Sequence, residues 1–545
     1  LAGLIFEDEH LLAVNKPAGW NTHAPSPYAG EGLYDWLRHR EPRWASLAIM
    51  HRLDKETSGV ILFSKTPLAN RSLTEQFTQR QVRKTYLLRT DRPVPQRELQ
   101  LKSALVRSGE KYLSRPPHAG ADLAETHFRL IRGGDVSSPV GAVNGPQSQR
   151  AIITVEARPL TGRTHQIRVH AAESGFPILG DTLYGGSPAP RLYLHAAELR
   201  LTHPETGEPL IFSAPPDFDA DPRLAVRQPL LDPAATDAWR VIHGASDGWP
   251  GWYVDRLGDY LLSQSDAPLT KEQTARLEEL RERLSIRGAS HKILSRQVRR
   301  AGVAESSPQP ALGEAPPERF IARENGVQFE FSFAEGYSVG LFLDQRDNRR
   351  RLLTRHIAAG FPLLPPGAEA ASATALNTFA YTCGFSVCAA KAGMKVTSLD
   401  LSKKYLEWGR RNFALNGLDP AAHDFIYGDV FDWMRRLGKK GRRFDLILLD
   451  PPTFSQSRES GVFRVERDYG KLVESALTLL NPNGVLFAST NAAQWAPEEF
   501  LAAVRSAARN RGRKLQQEHY APQPPDFPIS RAEPAYLKTV WMRLG

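Results

Sequence analysis

A chain of 545 residues with 41% hydrophobic and 24% charged side chains exceeds what a single core supports and describes two to four ordinary soluble globular domains. No apolar run approaches the ~18 residues of a membrane span, and two cysteines five apart, Cys383 and Cys388, support neither a disulfide framework nor a zinc site. Seventy Lys plus Arg against sixty Asp plus Glu give a net charge of +10, which favours a polyanionic partner. The opening residues Leu1 to Asp8 carry neither a basic n-region nor a long apolar h-region, so no signal peptide is read there. With so few cysteines, a reducing, cytoplasmic location is expected.

In chain order, Ile5 to Pro17 reads as a hairpin stopped by Pro17 and Gly19. A helix over Leu33 to His39 precedes His51-Arg52-Leu53-Asp54-Lys55-Glu56-Thr57-Ser58-Gly59, which places one carboxylate beside cations just before the apolar strand Val60 to Phe63. Taken alone, an Asp before Thr-Ser-Gly is a turn or capping residue. Held at a loop edge by cations, it is also a carboxylate that stays ionised and can attack. Pro67 to about Gln79 is helical, and Val82 to Leu88 is a strand on which Tyr86 follows Arg83 and Lys84; such a ring is a core residue or a base-stacking one. Gly133 to Gln149 lacks periodicity and reads as a surface loop, Arg150 to Arg158 as a strand. Thr161 to His170 is then a turn entering a helix whose polar side carries two Arg and two His: a solvated face, or a binding one.

Residues 1 to about 216 resemble the RluA family of RNA pseudouridine synthases. The resemblance is carried by Asn15-Lys16-Pro17-Ala18-Gly19, His51 to Asp54 with Thr57-Ser58-Gly59, Lys84 with Tyr86, Gly162 to His170, Gly180-Asp181 with Tyr184-Gly185, and Leu194-His195-Ala196. It implies a mixed, mostly antiparallel sheet and a reaction without cofactor or metal, in which the uridine glycosidic bond breaks and the base rejoins the ribose through carbon. By the same resemblance Asp54 is the nucleophile or base, Arg168 pairs with it, Tyr86 stacks on the target base, and Arg52 fills the gap left by the flipped uridine.

Prolines from Pro215 to Pro233 interrupt periodicity, so 217–238 is read as a linker. A small α/β subdomain over 239–335 follows. In it Ser246 to Arg256 and Asp259 to Leu262 form a turn and hairpin, Lys271 to Leu284 a helix with Leu277, Leu280 and Leu284 on one face, and Lys292 to Val298 a strand. Ala304 to Pro317 reads as a loop, and Phe320 to Phe333 as a hairpin about Asn325-Gly326. Arg349-Arg350-Arg351 opens a helix as a solvated start or, on the minority reading, a phosphate contact. From Ala375 strands alternate with helices, which predicts a doubly wound parallel sheet over 336–545. Asp400 ends its second strand, Asp429 follows the third, and Asp450-Pro451-Pro452 follows a buried fourth.

This arrangement is similar to class I S-adenosylmethionine-dependent methyltransferases, and residues 239 to 545 resemble the 23S rRNA methyltransferases of the RlmI and RlmK type. The matching residues are Ser246 to Arg256, Gly340 to Arg346, Tyr381-Thr382 with Gly384, Leu406-Glu407-Trp408 with Asn412 and Asn416-Gly417, and Asp450 to Ser455. The resemblance implies that Phe379, Tyr381 and Gly384 line the methionine part of S-adenosylmethionine, Asp400 the ribose and Asp429 the adenine. Asp450, Pro451, Pro452 and Phe454 would face cofactor and base, with Gln345 and Arg346 as further contacts. Cys383 stands where the family has a glycine, and its thiol is expected to narrow the cofactor's approach. No cysteine lies near Asp450, which disfavours addition to cytosine, and the Asp-Pro-Pro-Thr-Phe-Ser form resembles the guanine N7 methylating domain.

The whole reads as a mixed synthase core, a small α/β subdomain and a Rossmann-like methyltransferase sheet. The expectation is a bifunctional enzyme that modifies RNA, 23S rRNA or a large-subunit assembly intermediate, with no membrane or metal partner. Its rivals are a synthase with a degenerate methyltransferase half that only binds RNA, and a non-catalytic ribosome assembly factor.

Overall fold

The computed structural model describes residues 1–30, 32–117, 123–131, 151–294, 307–335, 339–457 and 461–545, the last three before 458 by backbone alone. The chain forms two compact units, one of Leu1–Pro25, Glu31–Asp35 and Ser46–Leu231, the other of Ser26–Gly30, Trp36–Ala45 and Asp232–Gly545.

The first unit is organised on one mixed sheet. Its strands run in the order Leu4–Glu7, Leu11–Lys16, Ser58–Ser64, Leu194–Thr202, Arg83–Thr90, Ile153–Pro159, Leu123–Leu130, Glu98–Ser108, Lys111–Arg115, with Ala48–Ile49 and Pro209–Ser213 paired off this path. Among the described residues every pairing is antiparallel except that of Ser58–Ser64 with Leu194–Thr202. That parallel pair is very close: a Cβ on Gly59, whose φ is +116°, would collide with the Ala196 backbone. Thr57-Ser58-Gly59 is therefore a strand entry that only glycine permits, not merely a turn. Helix Pro67–Thr78 is capped by Thr66, whose hydroxyl accepts from Ala69 N, and it buries Ala69 and Leu73 against Val60 and Leu62. The loop read over Gly133 to Gln149 lies outside the described residues.

The expected linker is mostly folded. Pro222 occupies the first turn of a helix, Pro222–Arg227, where its missing N–H costs nothing, and Asp221 caps it. Arg227 is fully buried, and Gly3 and Ala2 donate to Pro229 O and Leu231 O at 2.8 and 3.0 Å, so the first unit continues to Leu231.

The second unit contains a five-stranded sheet in the order Ala238–His243, Tyr253–Leu257, Tyr260–Ser265, Gly288–Ile293, Gln309–Gly313. Helix Lys271–Arg283 makes the crossover between its two parallel strands, starts in a Thr270/Gln273 capping box, and buries Leu277 and Leu280. Gln309–Gly313 corrects the loop expected over Ala304 to Pro317: Pro310 is tolerated because the strand lies at the sheet's edge. Of the strand expected over Lys292 to Val298, the observed one ends at Ile293, and 295–298 lie outside the described residues. The hairpin Phe320–Glu324 and Val327–Phe331 turns through Asn325 and Gly326, both at positive φ, and Phe329 and Phe331 join the same core as Leu446 and Phe487.

The main sheet runs Asp424–Tyr427, Lys395–Asp400, Thr374–Thr378, Phe444–Leu449, Leu480–Thr490, Lys538–Leu544, Leu515–Tyr520. The first five are parallel; Lys538–Leu544 inserts antiparallel to its neighbours. Strand order reverses between Thr374–Thr378 and Phe444–Leu449, the position where open α/β sheets bind ligands. Helix Arg346–Thr354 corrects the solvated-arginine reading. Arg349 is 2% exposed and pairs bidentately with buried Glu324 at 2.6 and 2.7 Å, Arg351 donates to Ile357 O at 2.9 Å, and Arg350 pairs with Glu41. These cations are committed to ion pairs and carbonyls within the fold.

Candidate active sites

The loop carrying Asp54 is clamped from two sides. Thr22 donates its hydroxyl to Leu53 O at 3.0 Å and accepts from Leu53 N at 3.1 Å. The Lys16 ammonium, fully buried, donates to Lys55 O and Pro17 O, both at 3.0 Å, and to Trp20 O at 2.5 Å. Three carbonyls satisfy this cation without an anion, and burial pushes its pKa down to about 7. Thr57 N donates to Asp54 O at 3.1 Å, so the turn reading of Asp54 holds for its backbone while its side chain remains available.

The Asp54 side chain is 29% exposed in a cleft of about 1190 Å³ that Arg52, Tyr86, His165 and Arg168 also line. Arg168 and His165 come from the turn and first residues of helix Gln166–Glu173, more than a hundred positions along the chain. Nη1 of Arg168 lies 3.8 Å and Nε2 of His165 4.0 Å from the same Asp54 oxygen, Oδ2. The expected Arg168–Asp54 pair is thus present as a longer charge contact. The guanidinium's hydrogen bonds go instead to Asp181, bidentate at 2.7 Å each, and this acid is 2% exposed. Asp181 was legible only as part of a Gly-Asp motif; its partner lies thirteen residues upstream.

Tyr86 is 8% exposed, paired across strands with Ala196 and Ala157, and still reaches the cleft wall. Burial, and then the negative charge of Asp54, push its hydroxyl above the ordinary tyrosine range, so it stays a neutral ring. Arg52 is exposed at the cleft. All four residues expected of the first site therefore line one cleft.

In the second unit the turn after Thr374–Thr378 alternates left-handed residues: Phe379, Tyr381 and Cys383 have φ of 55, 49 and 64°. Asp400 holds it, one carboxylate oxygen accepting from Tyr381 N and the other from Ser402 N, each at 2.8 Å. Burial raises the Asp400 pKa against these bonds. The Cys383 thiol does not narrow the turn. It is fully buried against helix Lys403–Leu415, where a Cβ on Gly409 would collide with it, and burial pushes it up to about 12. The missing glycine in the turn is matched by a glycine in the facing helix, which corrects the expected obstruction.

Asp429 caps helix Val430–Lys439 by accepting from Asp432 N at 3.0 Å, and it lines a cavity of about 370 Å³ with Phe379, Leu401, Phe431 and Phe463. An acid among aromatic and aliphatic walls at the strand ends suits an adenine-like group, and Phe431 and Phe463 were not singled out in sequence. Asp450 begins the loop after the fourth strand. Gln345 donates to its Oδ1 at 3.2 Å and to Ser489 Oγ at 2.9 Å, and burial pushes its carboxyl up to about 6. Gln345 thus positions Asp450. Arg346 is 3% exposed and closed in a bidentate pair with Asp526, which corrects its reading as a ligand contact. Pro451 is buried, Pro452 exposed, and Phe454 half-buried at the start of a short strand.

Residues 10–173 match the family described as RNA pseudouridylate synthase, and residues 240–543 that described as S-adenosylmethionine-dependent methyltransferase. The ribosomal RNA large subunit methyltransferase of Deinococcus radiodurans is 35% identical over 328 residues, 59% of this chain and 76% of that protein. Ribosomal RNA large subunit methyltransferase I of Klebsiella pneumoniae is 32% identical over 312 residues, 57% of this chain and 74% of that one. Among solved structures, SMU.776 complexed with SAH has a TM-score of 0.50 at 25% identity, covering 65% of this chain and 89% of that one.

Proposed function

We propose, for a chain that belongs to the S-adenosylmethionine-dependent methyltransferase family through residues 240–543 and carries an RNA pseudouridylate synthase domain over residues 10–173, that both halves act on large-subunit ribosomal RNA and that the second methylates a guanine nitrogen, N7 first. The ribosomal substrate is supported by the names of its curated relatives.

In the first site Asp54 acts on the ribose as the glycosidic bond of a flipped uridine breaks. Tyr86 offers its ring to the detached base, and Arg52, exposed at the cleft, occupies the vacated stack. The observation that carries this reading is the convergence of Arg168 and His165 on Oδ2 of Asp54. A cation and an imidazole beside one oxygen orient the carboxylate.

In the second site S-adenosylmethionine, when bound, supplies an electrophilic methyl group. Asp400 retains lone pairs for ribose hydroxyls, the Phe379–Gly384 turn meets the methionine end, and Asp429 meets the adenine amine. Asp450 accepts from an N–H edge of guanine while Phe454 packs on the base and Pro451 and Pro452 fix the loop. Methylation at N7 uses the nitrogen lone pair and releases no proton, so it needs no strong base. Both cysteines are buried, which argues against covalent addition to cytosine.

The test is nucleoside mass spectrometry on unmodified large-subunit RNA incubated with the protein, with and without S-adenosylmethionine. Pseudouridine in both samples and methylated guanosine only with the cofactor is the expected result. Asp54→Asn should lose pseudouridine alone and Asp450→Ala the methyl group alone. Full turnover by Asp54→Asn, or 5-methylcytidine as the product, overturns the respective assignment.

A further inference from the structure

His165 sits at an unusual point of the backbone. Its φ of 56° is left-handed, a conformation that costs a non-glycine residue about 1 kcal/mol or more. It occupies the N-cap of helix Gln166–Glu173, yet its side chain makes no capping bond. The imidazole is spent elsewhere. Nδ1 lies 2.8 Å from the Tyr184 hydroxyl, and that hydroxyl accepts from Tyr112 N at 2.9 Å.

Of those two bonds, the one from Tyr112 N has a set direction. A backbone N–H can only donate, so the Tyr184 oxygen is an acceptor toward Tyr112. Among the described residues the other hydrogen-bond partner of that oxygen is Nδ1 of His165, toward which the hydroxyl proton can point. With Tyr184 O–H donating to Nδ1, the imidazole proton stands on Nε2, which lies 4.0 Å from Oδ2 of Asp54. The rings of Tyr112 and Tyr184 meet the imidazole edge to face at 5.5 and 5.7 Å and hold its plane. Arg168, fixed by Asp181, lies against the same oxygen.

We propose that His165 is a positioning residue for uridine isomerisation: directed by Tyr184, its Nε2–H closes on Oδ2 of Asp54 from 4.0 Å when uridine binds, beside Arg168, and leaves Oδ1 to the ribose. This rests on Asp54 as the group that acts on the sugar. The charged and titratable groups facing the imidazole are Asp54, Arg168, Asp181, Tyr184 and Tyr112. Burial first, and Arg168, hold it below the ordinary histidine range, which favours the neutral imidazole. A protonated imidazole would pair with Asp54 more strongly and quench its attack.

The test compares full-length His165→Ala, His165→Gln and Tyr184→Phe on unmodified large-subunit RNA. His165→Ala should lower kcat for pseudouridine roughly 10- to 100-fold with KM little changed, since the donor acts on the catalytic carboxylate. His165→Gln, which keeps an N–H donor, should recover most of that loss. Tyr184→Phe frees Nδ1 to take a proton, so the acid limb of the kcat profile should move to higher pH. In nitrogen-15 histidine spectra the His165 signal, assigned by its loss in the Ala variant, should change from the Nε2–H tautomer to a mixture. Wild-type kcat in His165→Ala, equal loss in the Ala and Gln variants, or an Nδ1–H tautomer in the unaltered protein overturns the proposal. An active Asp54→Asn would instead remove the reading on which it stands; an inactive Asp54→Asn beside a fully active His165→Ala removes this inference alone.

Discussion

At the scale of single residues, the acids of the second unit differ through their surroundings. Asp429 and Asp400 accept from backbone N–H groups, against which burial still raises Asp400, whereas Asp450 accepts from the Gln345 side chain and burial raises it to about 6. Its carboxyl titrates near 6 in the fold against 3.8 when unperturbed. Between those values the folded state binds more protons than the unfolded one, so unfolding free energy falls as pH rises through this window. Stability attached to Asp450 is complete below the unfolded value and lost above about 6. Asp450→Asn should therefore stabilise the protein at pH 8 by up to roughly 3 kcal/mol, with no gain at pH 4, while abolishing methyl transfer. Urea titrations at the two pH values check the sign; equal effects at both would mean that burial does not govern this carboxyl.

At the scale of elements, close approach explains motifs that composition alone leaves as turns. Gly59 lets two parallel strands meet, and Gly409 makes room in helix Lys403–Leu415 for the buried Cys383 thiol. The two positions form one steric pair. Gly409→Ala should destabilise the second unit by about 1–3 kcal/mol through overpacking. Adding Cys383→Gly should recover most of that loss, because it removes the colliding thiol and relieves a left-handed non-glycine residue. Thermal unfolding of the two single variants and the double variant measures the coupling, and strict additivity would place the thiol elsewhere. S-adenosylmethionine affinity of Cys383→Gly should stay near that of the parent.

At the scale of the whole molecule, each unit carries its own site, and the two chemistries place different demands on ligand. S-adenosylmethionine at a hundred times its Kd should stabilise the second unit by about 2.7 kcal/mol, visible as an upward shift in a calorimetric transition of the intact chain. Asp54→Asn should show the same shift and Asp400→Ala none; no shift in the parent would leave the second site without its cofactor. The sequence by itself determined much of this. The Asp54 motif, the order of strands and acids from Thr374 to Asp450, the Asn325-Gly326 turn and the Leu277 and Leu280 face are local patterns, and backbone periodicity with turn chemistry suffices to read them. Tertiary structure decided what depends on distant partners. It gave Arg168 to Asp181, set His165 beside Asp54, closed Arg346 and Arg349 in buried pairs, folded the proline-rich segment onto the first sheet, and buried the Cys383 thiol against Gly409. A side chain's charge and size are written in the sequence. Which desolvated neighbour answers them is fixed only when strands and helices far apart along the chain are brought into contact.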